Sequence, residues 1–379
     1  MDFALTDDQA LIRDSAETVL AGTSDSAAVR AAMETASGYD PVSWARMAGE
    51  LGWCAMGIPE NFGGLGLGPV ENALLLEQMG RRLLCAPFFS TVCLAANLLI
   101  EIGTEAARER FLPRIAAGEL RATATFGESG PAPIPIRAKR SDRSWMLDGS
   151  IRKVLDGATA EVLLVLAQVE GESAPALFAV SADTVGLARR ALKTWDQTRR
   201  FASVELRGVM VADSDRIDDP VRASAGFICA EALATLSLAA EQVGGAQQCL
   251  DLTLAYVANR KQFGRVIASF QAIKHRCAEM MVRIEATRSM IYGAAAFAAG
   301  APPVDALAIE CGAAKVLAAE TAFWCAQEAI QLHGGVGFTW EYDPHLYFKR
   351  AQAAGQWLGV AGPLCEAIAA SLLDSRAAA

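Results

Sequence analysis

Apolar positions fall at helical spacing over the first third of the chain. Leu5, Leu11, Ile12, Val19 and Leu20 make one stripe, and Thr6 with Asp7 and Asp8 predicts the cap of the helix that carries it. "VENALLLEQMGRRLL" and "TEAARERFLPRIAAGEL" predict two further helices, the second broken at Pro113. "IPENFGGLGLG" (58–68) is a glycine-rich loop between helices. From 121 to about 213 the pattern changes to short runs with β-branched residues and turn punctuation, among them "RATATFG", "SWMLDGS", "EVLLVLAQV" and "APALFAVS". "SVELRGVMV" alternates apolar and polar as a half-buried strand does. After "DSDRIDDP" the helical pattern returns, and "GFICAEALATLSLAAEQVGGAQQCLDLTLAYVANRKQ" is apolar on nearly every side, which predicts a helix at the centre of a bundle. Two more long helices follow, separated by "APP", and a last one covers roughly 362–375. The expected organisation is an N-terminal helical domain over 1–120, a β domain over 121–215 and a helical bundle over 216–379, with no internal repeat.

Composition fits a helical core. The chain has 379 residues, 53% of them hydrophobic but only 7% aromatic, so Ala, Leu, Val and Ile must fill the interior. A net charge of −9 argues against nucleic acid or an anionic membrane as partner. "RAKRSDR" (137–143) reads as a solvated turn. Nine cysteines without a CxxC pair, and only three histidines, predict no metal site. Cys54, Cys229, Cys249, Cys277, Cys311 and Cys325 sit in apolar surroundings, as reduced thiols of a cytoplasmic protein do. The acidic start lacks the basic and apolar regions of a secretion signal, and no uninterrupted apolar run approaches the roughly 20 residues of a membrane span.

Candidate chemistry lies in two C-terminal stretches. Arg260 and Phe263 are three apart near a helix end, which predicts that they share one face. A guanidinium there can fork onto pyrophosphate oxygens, while Phe263 packs beside a flat ring and Gln271, one short loop later, reads polar edges. In "QLHGG", Gln331 offers an amide donor and acceptor, and Gly334 and Gly335 let a ligand approach the backbone. Taken singly, Arg260 is more often a charge complementing a helix dipole, and the glycine pair a helix C-cap and turn. His333, His345, Trp195, Trp324, Trp340 and Trp357 read as packing or interface residues.

Five blocks in order carry a resemblance to the acyl-CoA dehydrogenase family of flavoproteins: "IPENFGGLGLG", "GTEAARERFLPRIAAGEL", "LDGSIRKVLDGATAEVLLVLA", "NRKQFGRVIASFQAIKHRCAEM" and "EAIQLHGGVGF". The resemblance implies an α+β, mainly α fold, with N-terminal helices, a middle β-barrel-like domain and a C-terminal four-helix bundle. It implies FAD as cofactor, an acyl-CoA thioester as substrate and an electron-transfer flavoprotein as acceptor. It also implies that Arg260, Phe263, Gln271, Gln331, Gly334 and Gly335 grip the ADP half of an FAD bound mainly by the neighbouring subunit.

The catalytic half departs from that family. A Glu normally removes the α-proton of the thioester, and the matching position here is Gly359. A minority of members place the base on the long helix, at the position matched by Ala234. Glu231 lies about 4.5 Å along that helix from Ala234 and roughly 60° around it; Glu241 lies about 10.5 Å away on nearly the same face. Both are candidates for a relocated base, though a partner for bundle or surface polar groups is the plainer role for each. "TFGESGP" puts Gly127 where the family has Thr before an acid–Pro pair (here Glu128 and Ser129), an aromatic is replaced near Lys153, and "LGVAGPLCE" lacks the usual cofactor-touching Thr or Gln. An intact ADP clamp beside an eroded reaction centre resembles the base-lacking chain of bacterial heteromeric members, which act on bulky CoA thioesters; "GFTWEYDPHLYFKRA" and "WDQTRRFASVEL" are similar to that branch. The expectation is a supporting subunit in a heterotetramer with a base-bearing paralogue. The alternatives are a homo-oligomeric dehydrogenase or oxidase using Glu231 or Glu241, and an inactive homologue that binds CoA thioesters.

Overall fold

The computed structural model describes residues 5–125, 134–172 and 174–377. The N-terminal third folds as α1 (Asp7–Thr23), α2 (Ser26–Glu34), α3 (Pro41–Ala45), α4 (Pro69–Arg81), α5 (Asn97–Ile102) and α6 (Glu105–Ala116). Thr6 caps α1 as expected, its hydroxyl accepting from Gln9 N while the Gln9 side chain accepts from Thr6 N. Pro113 does not break α6: it lies inside the helix, one turn before the end, where only a single backbone donor is lost.

Seven strands follow: β1 (Ala122–Ala124), β2 (Arg137–Ser141), β3 (Ser144–Leu155), β4 (Val162–Val169), β5 (Ala176–Ser181), β6 (Leu187–Ala191) and β7 (Phe201–Ala212). They form one sheet in the order β1-β4-β2-β3-β7-β6, with β5 pairing β4. β4 is apolar from Val162 to Ala167 because both of its faces are covered, one by the sheet's own cluster around Leu163, Val165 and Phe178 and the other by helices.

The bundle comprises α7 (Ala223–Asn259), α8 (Gln271–Ala299), α9 (Val304–His333), α10 (Pro344–Gly355) and α11 (Ala361–Ala377). α7 has the length and composition of a membrane span, yet it is wrapped by α4, α5, α8 and α9, which is why it is apolar all round. α4 meets it through glycines: a Cβ on Gly80 would stand 1.9 Å from Glu241 O, and one on Gly244 1.9 Å from Glu77 O. No other residue permits that approach. Between α7 and α8 a small hairpin pairs β8 (Lys261–Gln262) with β9 (Arg265–Val266).

Candidate functional site

One end of the bundle gathers the predicted clamp. α7 and α9 run the same way and α8 returns, so Arg260, Gln271 and Gln331 share an end. The Tyr256 ring stacks on His333 at 4.3 Å, fastening the last turn of α7 to that of α9, and Arg276 bonds Glu328 at 3.1 Å between α8 and α9. His333 is the buried packing residue the sequence suggests: its Nδ1 lies 2.7 Å from Ala329 O, and burial lowers its pKa. Arg260, Phe263, Gln271, Gln331, Gly334 and Gly335 are all exposed, and the Arg260 side chain has no partner among the described residues.

The shared helical face of Arg260 and Phe263 is corrected. α7 stops at Asn259, and Arg260 is extended at ψ 126°. Phe263 (φ 52°) and Gly264 (φ 76°) form the two-residue turn of the hairpin, whose paired residues Gln262 and Arg265 require positive φ between them. Phe263 is thereby thrust outward, 92% exposed.

The opposite end holds a cavity of about 290 Å³ between α7, α9 and the turn joining α10 to α11. Glu231 and Thr235 line it from one side and Leu358 and Gly359 from the other. The Glu231 carboxyl is reached by solvent but crowded by apolar walls, and this desolvation raises its pKa. The turn is fixed in place. Lys315, buried, donates to Ala354 O at 3.1 Å, and the Trp357 ring lies 5.2 Å from Phe89 and 5.7 Å from Phe201. Leu358 (φ 51°) and Gly359 (φ 98°) are both left-handed, and a Cβ on Gly359 would meet Leu364 Cδ1 at 2.7 Å. The left-handed backbone disfavours any side chain here, and one would be placed only by moving the Leu364 side chain. Ala234, the second usual base position, is fully buried.

Glu241 does not reach this cavity, and the structure removes it as a candidate base. Its carboxylate is held by the guanidinium groups of Arg199 and Arg350. Arg350 in turn bonds Asp196 Oδ2 at 3.0 Å and Thr198 O at 3.1 Å, and Asp196 accepts from Thr198 N at 2.9 Å. Arg199 also faces the rings of Phe89 and Trp357 at 4.9 and 5.4 Å. Two guanidinium groups and two carboxylates thus neutralise one another in the interior, as buried ions must. The sequence contained the parts, in "WDQTRRF" and "YFKRA", but not their meeting.

Gly127, Glu128 and Ser129 lie outside the described residues. Lys153 is exposed on β3. Of the tryptophans, Trp357 is core, whereas Trp195 and Trp340 are 68% and 55% exposed. The chain's cysteines are free thiols, with Cys365 exposed. Among the described residues no cluster of His, Cys, Asp and Glu could hold a metal.

Residues 6–119 match the acyl-CoA dehydrogenase N-terminal domain and 232–373 the C-terminal domain of that family. Acyl-CoA dehydrogenase IpdE2 of Mycolicibacterium smegmatis is 32% identical over 94% of this chain and 96% of its own. The structure of the ChsE4-ChsE5 complex from Mycobacterium tuberculosis superposes with a TM-score of 0.89 at 26% identity, covering 98% of this chain and 99% of that one. The Tcur3481-Tcur3483 steroid ACAD matches with a TM-score of 0.87 at 28% identity, covering 98% and 99%. The chain belongs to the acyl-CoA dehydrogenase family and is an acyl-CoA dehydrogenase.

Proposed function

We propose that this chain is the supporting subunit of a heteromeric acyl-CoA dehydrogenase, lending its clamp to an FAD whose ring and catalytic base belong to a paralogous partner. The observation that carries the reading is Gly359: the usual base position has no carboxylate, its backbone is left-handed, and a side chain there would have to displace that of Leu364. The resemblance of two heteromeric complexes, ChsE4-ChsE5 and Tcur3481-Tcur3483, supports it.

The clamp fits the ADP half of the cofactor. Arg260 presents an unpaired guanidinium to pyrophosphate, Gln331 an amide to the adenosine side, and Gly334 and Gly335 open backbone with nothing near a Cβ, so ligand atoms can close on it. When bound, FAD supplies the acceptor for the β-hydrogen, which leaves as hydride; an electron-transfer flavoprotein is the onward acceptor. This chain's own task is to hold the dinucleotide in place, while α-proton removal falls to the partner's carboxylate. The substrate class is a bulky acyl-CoA, in keeping with the steroid ACAD it resembles.

The test is expression alone and with a base-bearing paralogue. The isolated chain should carry little flavin, and coexpression should restore it together with dye reduction by an acyl-CoA. Stoichiometric flavin in the lone homo-oligomer would overturn the shared site.

One observation favours a second reading: Glu231 faces the same cavity as Gly359. A homo-oligomer using Glu231 as base would lose about 10²–10⁴-fold in rate on Glu231→Gln, whereas the shared-site enzyme keeps turnover within about ten-fold.

A further inference from the structure

The clamp is built from two separate helix ends. Arg260 follows the last residue of α7, Gln331 belongs to the last turn of α9, and Gly334 and Gly335 come just after that turn. Among the described residues no hydrogen bond joins Arg260 to Gln331, Gly334 or Gly335. Helix ends open before helix middles, so two exposed ends keep a fixed gap only if something ties them.

The tie is aromatic. Tyr256 lies one turn before Arg260, and its carbonyl accepts from Arg260 N at 2.9 Å. Its ring is stacked on that of His333, with centroids 4.3 Å apart and 21° between the planes. His333 is the last residue of α9 and precedes Gly334 directly. The imidazole is itself held: Nδ1 donates to Ala329 O at 2.7 Å, and the Tyr342 ring stands edge-on, 6.0 Å from His333 and 5.9 Å from Tyr256. Gly337 closes the arrangement. A Cβ on it would lie 2.8 Å from Ile330 O and 3.2 Å from His333 Cβ, so glycine lets the turn after Gly335 fold back onto α9.

We propose that Tyr256 and His333 are positioning residues of the clamp, their stack setting the gap across which Arg260 and the Gln331–Gly335 segment face one dinucleotide. This role rests on the shared-flavin reading, which gives those groups a dinucleotide to hold. Neither ring has to touch the cofactor. Tyr256 acts through the turn of backbone that carries Arg260, and His333 through its peptide bond to Gly334. Without the stack the two halves move independently and binding must order them, which lowers affinity while every contact group stays in place. An aromatic pair of this kind accounts for about two- to ten-fold in affinity.

Flavin release on dilution, measured on the assembly coexpressed with a base-bearing paralogue, tests the role. Tyr256→Leu and His333→Leu keep apolar volume but no flat ring, and each should weaken flavin retention by about two- to ten-fold. Tyr256→Phe and His333→Phe keep the ring and should stay within about two-fold of wild type. Tyr342, 38% exposed, can be cut to Ser without opening the core, and Tyr342→Ser should weaken retention by about two-fold even if a leucine variant fails to fold. With Arg260 gone there is no gap to set, so adding Tyr256→Leu to Arg260→Ala should cost less than about two-fold more. Full additivity of those two substitutions would overturn the role. So would leucine and serine variants that melt at lower temperature yet hold flavin as wild type does, since that is what packing alone predicts. In either case a flavin loss on Arg260→Ala leaves the clamp standing; if Arg260→Ala itself holds flavin as tightly as wild type, the clamp reading fails and this role fails with it.

Discussion

Glu241 and Arg350, 109 residues apart in sequence, form an ion pair in the interior between α7 and α10. With Arg199 from the segment before β7, the pair joins the sheet to both helices. A carboxylate so placed is a joint between elements. Glu241→Gln removes one charge from a balanced buried set and leaves two guanidinium groups sharing one carboxylate. The expected cost is about 3–5 kcal/mol, seen as a lower urea midpoint. Any fraction that folds within the assembly should turn over at close to the wild-type rate.

Asp156 follows the opposite logic. Its carboxylate accepts from the Ser90 hydroxyl at 2.6 Å, yet burial pushes its pKa up to about 6. In the unfolded chain the group titrates near 3.9, so the folded state binds the proton more tightly. The ionised folded form is therefore penalised above about pH 6, and the penalty fades as pH falls from about 6 to about 4. Asp156→Asn should stabilise the protein by about 2 kcal/mol at pH 7, with the gain vanishing near pH 4. Asparagine also tolerates the left-handed backbone at φ 52°. Thermal melts of both proteins across that pH range are the check.

Gly359→Glu should not confer activity on the lone chain. The new Cβ meets Leu364 at 2.7 Å on a backbone at φ 98°, so the substitution strains the turn by about 1–3 kcal/mol. The measurement is acyl-CoA-dependent dye reduction by the variant supplied with excess FAD; a rate near that of the full assembly would contradict this account of the turn.

Arg260→Ala should weaken flavin retention and leave the fold alone. The loss of a charge-assisted contact to pyrophosphate costs about 1.5–3 kcal/mol, or roughly ten- to a hundred-fold in affinity, measurable by flavin release from the assembly on dilution.

Period and punctuation were enough to read the order of elements. The apolarity of "EALATLSLAAEQVGG" on nearly every side marks a helix with neighbours all round, and α7 has them. The losses were local or long-range. Pro113 was over-read, because a proline's effect depends on how much helix remains beyond it. Helical spacing was carried four residues past the end of α7, to Phe263, where "FG" is a turn signal that asks for positive φ. The Arg199–Glu241–Arg350 cluster lay beyond reach, because a charge inside an apolar helix shows that a partner is needed but not which one. Gly359 could be read as a missing acid; that a side chain there would press on Leu364 needed coordinates.

The continuity of α7 has an arithmetical consequence. Glu231, about two turns in from the start of α7, and Arg260, just past its end, are 29 residues apart, and at 1.5 Å per residue that is about 43 Å. No single dinucleotide spans such a rod, so a chain of this fold cannot close its own clamp upon its own cavity. In an assembly of two such chains with two paralogues, complete sites number one per unlike pairing, and the flavin-to-polypeptide ratio becomes a census of which chains face which: one flavin for every two polypeptides.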